Sequence, residues 1–305
     1  MKHTLKVTLL LAMIFFVAQI AGLSITKEYI STEEYIDPET KAVVKQIVSE
    51  DLPYNIERPE IEESTSYIWI TTTVIIGTLL LLLIIKLKKM SLWKIWFFFA
   101  VFFTMAIAFA PFVGQIIAAI LAFVFALIKV YRPTTILNNF TEIFIYGGLA
   151  AIFVPVINLF AAFALLFLIS IYDIIAVRHT KHMVKLAKFQ ARSNVFAGLL
   201  VPYGKSNSIA AEGKDIIKGK EKGRIAVLGG GDIGFPLLFA GAVMKELMLV
   251  NSETIGFLKT LVIPVFVTFA LIYLLITGEK GKFYPAMPYL SVGCILGYFA
   301  VLIFF

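Results

Sequence analysis

The sequence is dominated by apolar runs of about 20 residues separated by short charged stretches. A run of that length reads as a membrane-spanning helix, because ~20 residues at helical rise cover the hydrocarbon core. Within lipid a helix also satisfies its own backbone polar groups. Nine such runs can be read, at about 6–25, 67–86, 93–110, 112–130, 136–154, 156–177, 225–244, 255–277 and 285–305. Composition agrees: 60% of the residues are hydrophobic and 15% charged, whereas soluble domains carry about 25% charged residues. The expected fold is an all-α polytopic membrane protein with nine transmembrane helices. Two of the stretches, 93–130 and 136–177, are each long enough for two helices, since a single 38-residue helix would be ~57 Å long. Proline removes a backbone donor and disfavours helix continuation, so the breaks are expected at Pro111 and Pro155. The first run has some signal-peptide character, with Lys2 and Lys6 before an apolar core and Ala18, Ala21 and Gly22 after it. Its long core and poor cleavage pattern favour an uncleaved span.

Charge sets the expected orientation, because basic residues collect in cytoplasmic loops. One set of loops holds Lys86, Lys88, Lys89 and Lys94, then Lys129 and Arg132, then Lys280 and Lys282. The stretch 178–224 holds eleven basic residues against three acids. The alternate loops are poor in basic residues, and the long one, 26–66, has eleven acids and four bases. The N-terminus is therefore expected inside and the C-terminus outside, an arrangement that needs an odd number of spans. The net charge of +7 follows from this loop pattern and does not indicate nucleic acid. Three units are expected: spans 1–6 within residues 1–177 with an acidic outer loop at 26–66, a basic cytoplasmic loop at 178–224 that is long enough to act as a mobile gate, and spans 7–9 within 225–305. The 26–66 segment has no long apolar run and is expected to lie over the outer surface.

Two acids lie inside the apolar runs with short patterns around them: Tyr172-Asp173, and Gly229-Gly230-Gly231-Asp232. A carboxylate in the membrane costs at least ~2.5–3.5 kcal/mol, and such residues are functional by default. Asp173 lies five residues before Arg178 and Asp232 eight residues after Arg224. These separations correspond to depths of ~7 and ~12 Å on consecutive antiparallel spans. Pro285-Ala286-Met287 opens the ninth run at ~5 Å, so three unusual features fall in one layer. Two neighbouring carboxyls share a proton. The ionised member can activate water while the protonated member donates to a carbonyl oxygen, which is metal-free hydrolysis of a peptide bond. Glycine at 229 and 231 lets a substrate backbone approach. The prolines of the third segment interrupt the helix start and leave backbone groups that an unwound substrate could use.

Taken in order, Tyr172-Asp173, Gly229-Gly230-Gly231-Asp232 and Pro285-Ala286-Met287 resemble the Tyr-Asp, Gly-x-Gly-Asp and Pro-Ala-Leu signatures of the GxGD intramembrane aspartyl proteases, the family of presenilin and signal peptide peptidase. Met287 stands where leucine is usual. The motifs fall on runs 6, 7 and 9, as the resemblance requires. The charge-derived orientation resembles presenilin rather than the inverted signal peptide peptidases, and the compact chain looks like an archaeal homologue. The resemblance implies a multi-pass protease of the cell membrane that cuts transmembrane helices and needs no metal or cofactor. Asp173 and Asp232 would be catalytic, and Tyr172, Gly229, Gly231, Pro285, Ala286 and Met287 would bind substrate. Expected partners are transmembrane-helix substrates and the bilayer, with homo-oligomerisation left open.

Other readings are weaker. Arg224–Gly234 imitates a dinucleotide-binding turn, but that turn needs a soluble βαβ unit. Paired intramembrane aspartates also suit a secondary transporter or ion pathway, although no inverted repeat is visible. Glu142 in the fifth run reads as a cavity residue bonded to Tyr146 at i+4. Asn139-Phe140-Thr141 matches a glycosylation triplet on what should be the cytoplasmic side. The aromatic stripe Trp93–Phe103 reads as lipid-facing surface. A lone cysteine, Cys294, excludes an internal disulfide, and His179 with His182 makes a poor metal site.

Overall fold

The computed structural model describes residues 4–36, 41, 43–87, 89–180, 183, 186, 189–190, 193, 195–203, 225–279 and 284–304. The apolar runs form α1 (Leu5–Lys27), α2 (Ser66–Lys86), α3 (Met90–Val113), α4 (Gln115–Tyr131), α5 (Thr135–Phe153), α6 (Leu159–Ile174), α7 (Gly230–Val250), α8 (Glu253–Thr260), α9 (Val262–Thr277) and α10 (Met287–Phe304). α8 and α9 together make one span. Among the described residues, eight stretches are long and apolar enough to cross a bilayer. The shorter one, α4, has 17 residues, ~25 Å at helical rise.

The helix breaks have identifiable causes. α3 runs through Pro111 and ends three residues later, at Gly114, whose φ of 79° few other residues adopt. Pro111 has no N–H for the carbonyl of Ile107 four residues back, and Tyr29 Oη donates to that carbonyl instead, at 2.6 Å. Burial lifts the Tyr29 phenol well above its ordinary range, against a smaller opposing effect of the Arg58 charge, so it stays a neutral donor. The expected break at Pro155 is present as a 3₁₀ turn, Val154–Val156. The Asn158 side chain then caps α6 by accepting from the Ala161 N–H at 2.8 Å. Lys245 of α7 donates to the carbonyls of Pro155 (2.8 Å) and Ile157 (3.2 Å) and to Glu63 Oε1 (3.0 Å). All three of its donors are thereby used at the α5–α6 corner.

α1 packs against α5, α7 and α9, with Leu11, Phe15 and Ala18 fully enclosed while Leu9, Met13 and Val17 face outward. Small residues allow close helix approach in membranes. A Cβ on Gly148 of α5 would lie 1.9 Å from the Thr104 carbonyl oxygen of α3. The largest core joins α1, α5, α6, α7, α9 and α10, and a second core joins α3, α4 and α5. Trp93 and Phe97 belong to that second core, whereas Trp96, Phe99 and Phe103 face outward. The aromatic stripe is therefore lipid-facing only in part.

Two small antiparallel sheets depart from an all-helical reading. In the segment between α1 and α2, β1 (Ile30–Ile36) pairs with β2 (Val43–Ser49), Ile30 opposite Ser49. Glu253 at the start of α8 anchors this hairpin by accepting from the Thr32 N–H at 2.9 Å. The second sheet pairs β3 (Gly198–Pro202) with β4 (Ile225–Gly229), Gly198 opposite Gly229 and Leu200 opposite Val227. The seventh run thus begins as a strand, and its helix starts only at Gly230. This sheet is part of the core, since Leu199 and Val201 of β3 and Ala226 and Leu228 of β4 all join the main cluster. Most of the rest of 178–224, expected as a mobile gate, lies outside the described residues.

Candidate active site

Asp173 sits on the last turn of α6, just before the helix widens into a single π turn, Ile175–His179. Such turns are rare and concentrate at functional sites. Asp173 is only 5% exposed. Its Oδ2 accepts the Met287 N–H at 3.0 Å, and the Ala286 backbone lies beside the same carboxyl. Residues 284–286 are irregular backbone leading into α10, with Pro285, Ala286 and Met287 all buried. N–H groups at a helix start have no intrahelical acceptor, and the carboxylate takes that of Met287. The sequence-expected Pro-Ala-Met segment therefore touches Asp173 directly, through its backbone.

The helices meet in a definable register. Phe163 of α6, Phe239 of α7 and Tyr298 of α10 form a triangle of edge-to-face rings with centroids 5.0, 5.3 and 6.3 Å apart. Ser170 and Ser291 hydroxyls lie 2.8 Å apart one layer closer to Asp173. α6 and α10 are thus antiparallel, and Asp173 is level with Met287. Counting from the same triangle, Asp173 lies ~15 Å along α6 and Asp232 ~10 Å back along α7. The two carboxyls stand within about one helical turn of a common depth.

Asp232 is in the first turn of α7, with Gly229 as the N-cap. The positive end of a helix favours a carboxylate there. The carboxyl is half-buried and folds back toward the strand: a Cβ on Gly229 would lie 3.4 Å from Asp232 Oδ2. Gln19 of α1 holds this turn by donating to the Ile233 carbonyl at 2.8 Å. The tightest glycine is Gly230, in the middle of the motif, where a Cβ would lie 2.1 Å from Tyr146 Oη. Gly231 faces outward, and its nearest neighbour at the Cβ position is Phe235 at 3.4 Å. Motif reading singled out the outer two glycines, and packing singles out the middle one.

Tyr146 is held from behind. Its hydroxyl donates to Glu142 Oε2, as the i+4 spacing led one to expect. Glu142 Oε1 in turn accepts from Lys129 Nζ at 2.6 Å, with both side chains 1% exposed. Lys129 also donates to Thr141 Oγ1 (2.8 Å) and Asn138 Oδ1 (3.0 Å). Its place near a helix end suggests a loop charge, but it is fully enclosed. Asn138 Nδ2 donates to the Gly198 carbonyl at 2.8 Å. Asn139 clamps Leu200, donating to its carbonyl at 2.7 Å and accepting its N–H at 2.9 Å. The apparent glycosylation triplet thus begins with a residue that fastens β3. The only sequence signal for this cluster was the lone acid Glu142, and nothing in the spacing tied Lys129 to it.

Tyr172, beside Asp173, donates to Thr78 Oγ1 of α2 at 2.9 Å. Its visible role is to fasten α2 to α6. Beyond the contact with Met287, the site therefore has two parts: an enclosed carboxyl on α6 against the α10 entrance, and a more open carboxyl at the junction of β4 and α7.

A family model described as signal-peptide peptidase, presenilin aspartyl protease matches residues 41–305. No curated protein is similar enough in sequence to match the chain. Two structures of a presenilin family intramembrane aspartate protease, in different crystal forms, share its fold. One superposes with a TM-score of 0.62 at 17% identity, covering 97% of this chain and 98% of the other. The second gives 0.57 at 18% identity, covering 96% of each.

Proposed function

Because the chain belongs to the signal-peptide peptidase and presenilin aspartyl protease family, we propose that Asp173 and Asp232 are the acid–base pair of an intramembrane endopeptidase. The observation that carries this reading is the depth match set by the Phe163–Phe239–Tyr298 triangle, with Asp173 enclosed at the entrance of α10. One carboxyl is ionised and takes a proton from water. The resulting hydroxide oxygen bonds to the scissile carbonyl carbon while the protonated carboxyl donates to the carbonyl oxygen. The tetrahedral diol then collapses: the amide nitrogen takes a proton, the C–N bond breaks, and a carboxyl and an amine leave. A multi-pass membrane fold suits substrates that are themselves transmembrane helices, and family and fold give no support to a transport role.

A substrate helix must unwind before it is cut, and its backbone then needs new partners. Leu200 turns both its N–H and its carbonyl toward Asn139. The Leu200–Val227 pair is therefore of the non-hydrogen-bonded kind, and the polar backbone groups of Val227 point away from β3. With the β3 edge covered by asparagines, β4 offers the edge for an added substrate strand, and it ends at Gly229, three residues before Asp232. The cytoplasmic placement of this layer follows from the loop charges. Arg132 and the basic 178–224 stretch support it, while Lys129 no longer contributes. Purified protein incubated with a labelled single-span peptide, with and without a transition-state aspartyl protease inhibitor, tests the reading. Cleavage that the inhibitor stops supports it, and absence of cleavage, or cleavage indifferent to the inhibitor, opposes it.

A further inference from the structure

We propose that Lys129, Glu142 and Tyr146 are positioning residues: a buried, charge-balanced chain that fixes the Gly229–Gly230 backbone and sets the field at Asp232. This rests on the reading of Asp232 as catalytic. Two routes lead from the Lys129–Glu142 pair to the same dipeptide. On one, Glu142 accepts the Tyr146 hydroxyl, and Tyr146 lies against Gly230 and Gly234. On the other, Lys129 is bonded to Asn138, Asn138 holds the Gly198 carbonyl, and Gly198 pairs with Gly229.

A stability role alone is a poor explanation for the pair. Desolvating two charges offsets their attraction, and a well-packed apolar pair of the same volume is often as stable. Here each group is satisfied on every side: the three Lys129 donors meet Glu142, Thr141 and Asn138, and both Glu142 oxygens accept. Such a network specifies one arrangement. Its far end is Tyr146, whose hydroxyl lies against Gly230, two residues before Asp232. Among the described residues, the titratable groups on this side of Asp232 are Tyr146 of α5, with Glu142 of α5 and Lys129 of α4 behind it, and Asp173 of α6 under the same reading. α1 presents the uncharged Gln19, and α10 the Ala286–Met287 backbone.

The test is the pH–rate profile for cleavage of the labelled peptide, with the kcat and KM parts separated. Glu142→Gln leaves the Lys129 charge unbalanced and should move the alkaline limb to lower pH. Lys129→Met leaves the Glu142 charge unbalanced and should move it to higher pH. Each shift should be on the order of one pH unit, the size expected for a unit charge about 10 Å away at an effective dielectric near 20. The charge-balanced double variant should return the limb to its wild-type position even if kcat stays low. Tyr146→Phe keeps the ring against Gly230 and should lower kcat about tenfold or more with KM unchanged. Should a single charge variant fail to fold, the double variant and Tyr146→Phe still decide. Unmoved or same-direction limbs, or wild-type kcat in Tyr146→Phe, would overturn the proposal. Full activity of Asp232→Asn would instead overturn the reading beneath it, so the two failures are distinguishable.

Discussion

At the scale of the residue, the environment of Asp173 is made by backbone rather than side chains. The Met287 N–H at the start of α10 is free to reach it because residues 284–286 are not helical. Met287 is the first residue of α10, a position that tolerates proline. Met287→Pro should therefore remove the 3.0 Å donor while leaving the helix in place, and Met287→Ala keeps the donor as a control for lost packing. We expect the proline variant to lose at least tenfold in cleavage rate relative to the alanine variant, and equal rates would contradict a role for this bond. The glycines divide similarly. Gly230→Ala should lower the thermal midpoint in detergent and depress activity, because overpacking costs ~1–3 kcal/mol and Tyr146 is pinned by Glu142. Gly231→Ala should leave the midpoint unchanged. A larger loss at 231 than at 230 would contradict the packing seen here. The motif residues themselves were legible in the sequence, since charge in an apolar run is conspicuous. The demand for glycine at 230 was not, because it is created by Tyr146, 84 positions earlier in the chain.

At the scale of elements, the helices were readable and the strands were not. Runs of about 20 apolar residues are long signals. By contrast Ile225–Gly229 is apolar on both faces and continuous with α7, so a strand and a helix start look alike by periodicity. What makes it a strand is its partner β3, some 25 residues earlier in sequence, and Asn139, further still. Asn139→Ala should free the β3 edge. We expect faster backbone hydrogen exchange at 198–202 and 225–229 and slower cleavage, with a stability loss of about 1–3 kcal/mol for the two lost bonds. Unchanged exchange would show that the asparagine clamp is dispensable. Pro111 gives the converse lesson. Proline predicts a lost hydrogen bond correctly but not a broken helix, because Tyr29, from the other side of α2, fills the vacant acceptor.

At the scale of the whole molecule, polar clamps hold an otherwise apolar bundle at both ends. Lys245 gathers the α5–α6 corner and, through Glu63, the segment between α1 and α2. The Lys129–Glu142 pair gathers α4, α5 and the β3–β4 sheet at the other end. Between them the aromatic triangle aligns α6, α7 and α10, so the depth of the two aspartates follows from the register of the whole bundle. Loop charge anticipated that depth match, but the Lys129 clamp was invisible because a lysine near a helix end reads as a loop charge until its partner is placed. A pair sharing one proton should give a bell-shaped rate profile. Activity should rise with pH as the first carboxyl ionises and fall as the second does, and a rate flat into strongly alkaline pH would contradict the pair. The most direct measurement is single-turnover cleavage of a reconstituted transmembrane peptide by Asp173→Asn and Asp232→Asn, each checked for wild-type helix content. Both should lose at least ~10³-fold in rate, and a variant of either residue that cleaves at the wild-type rate would contradict the account.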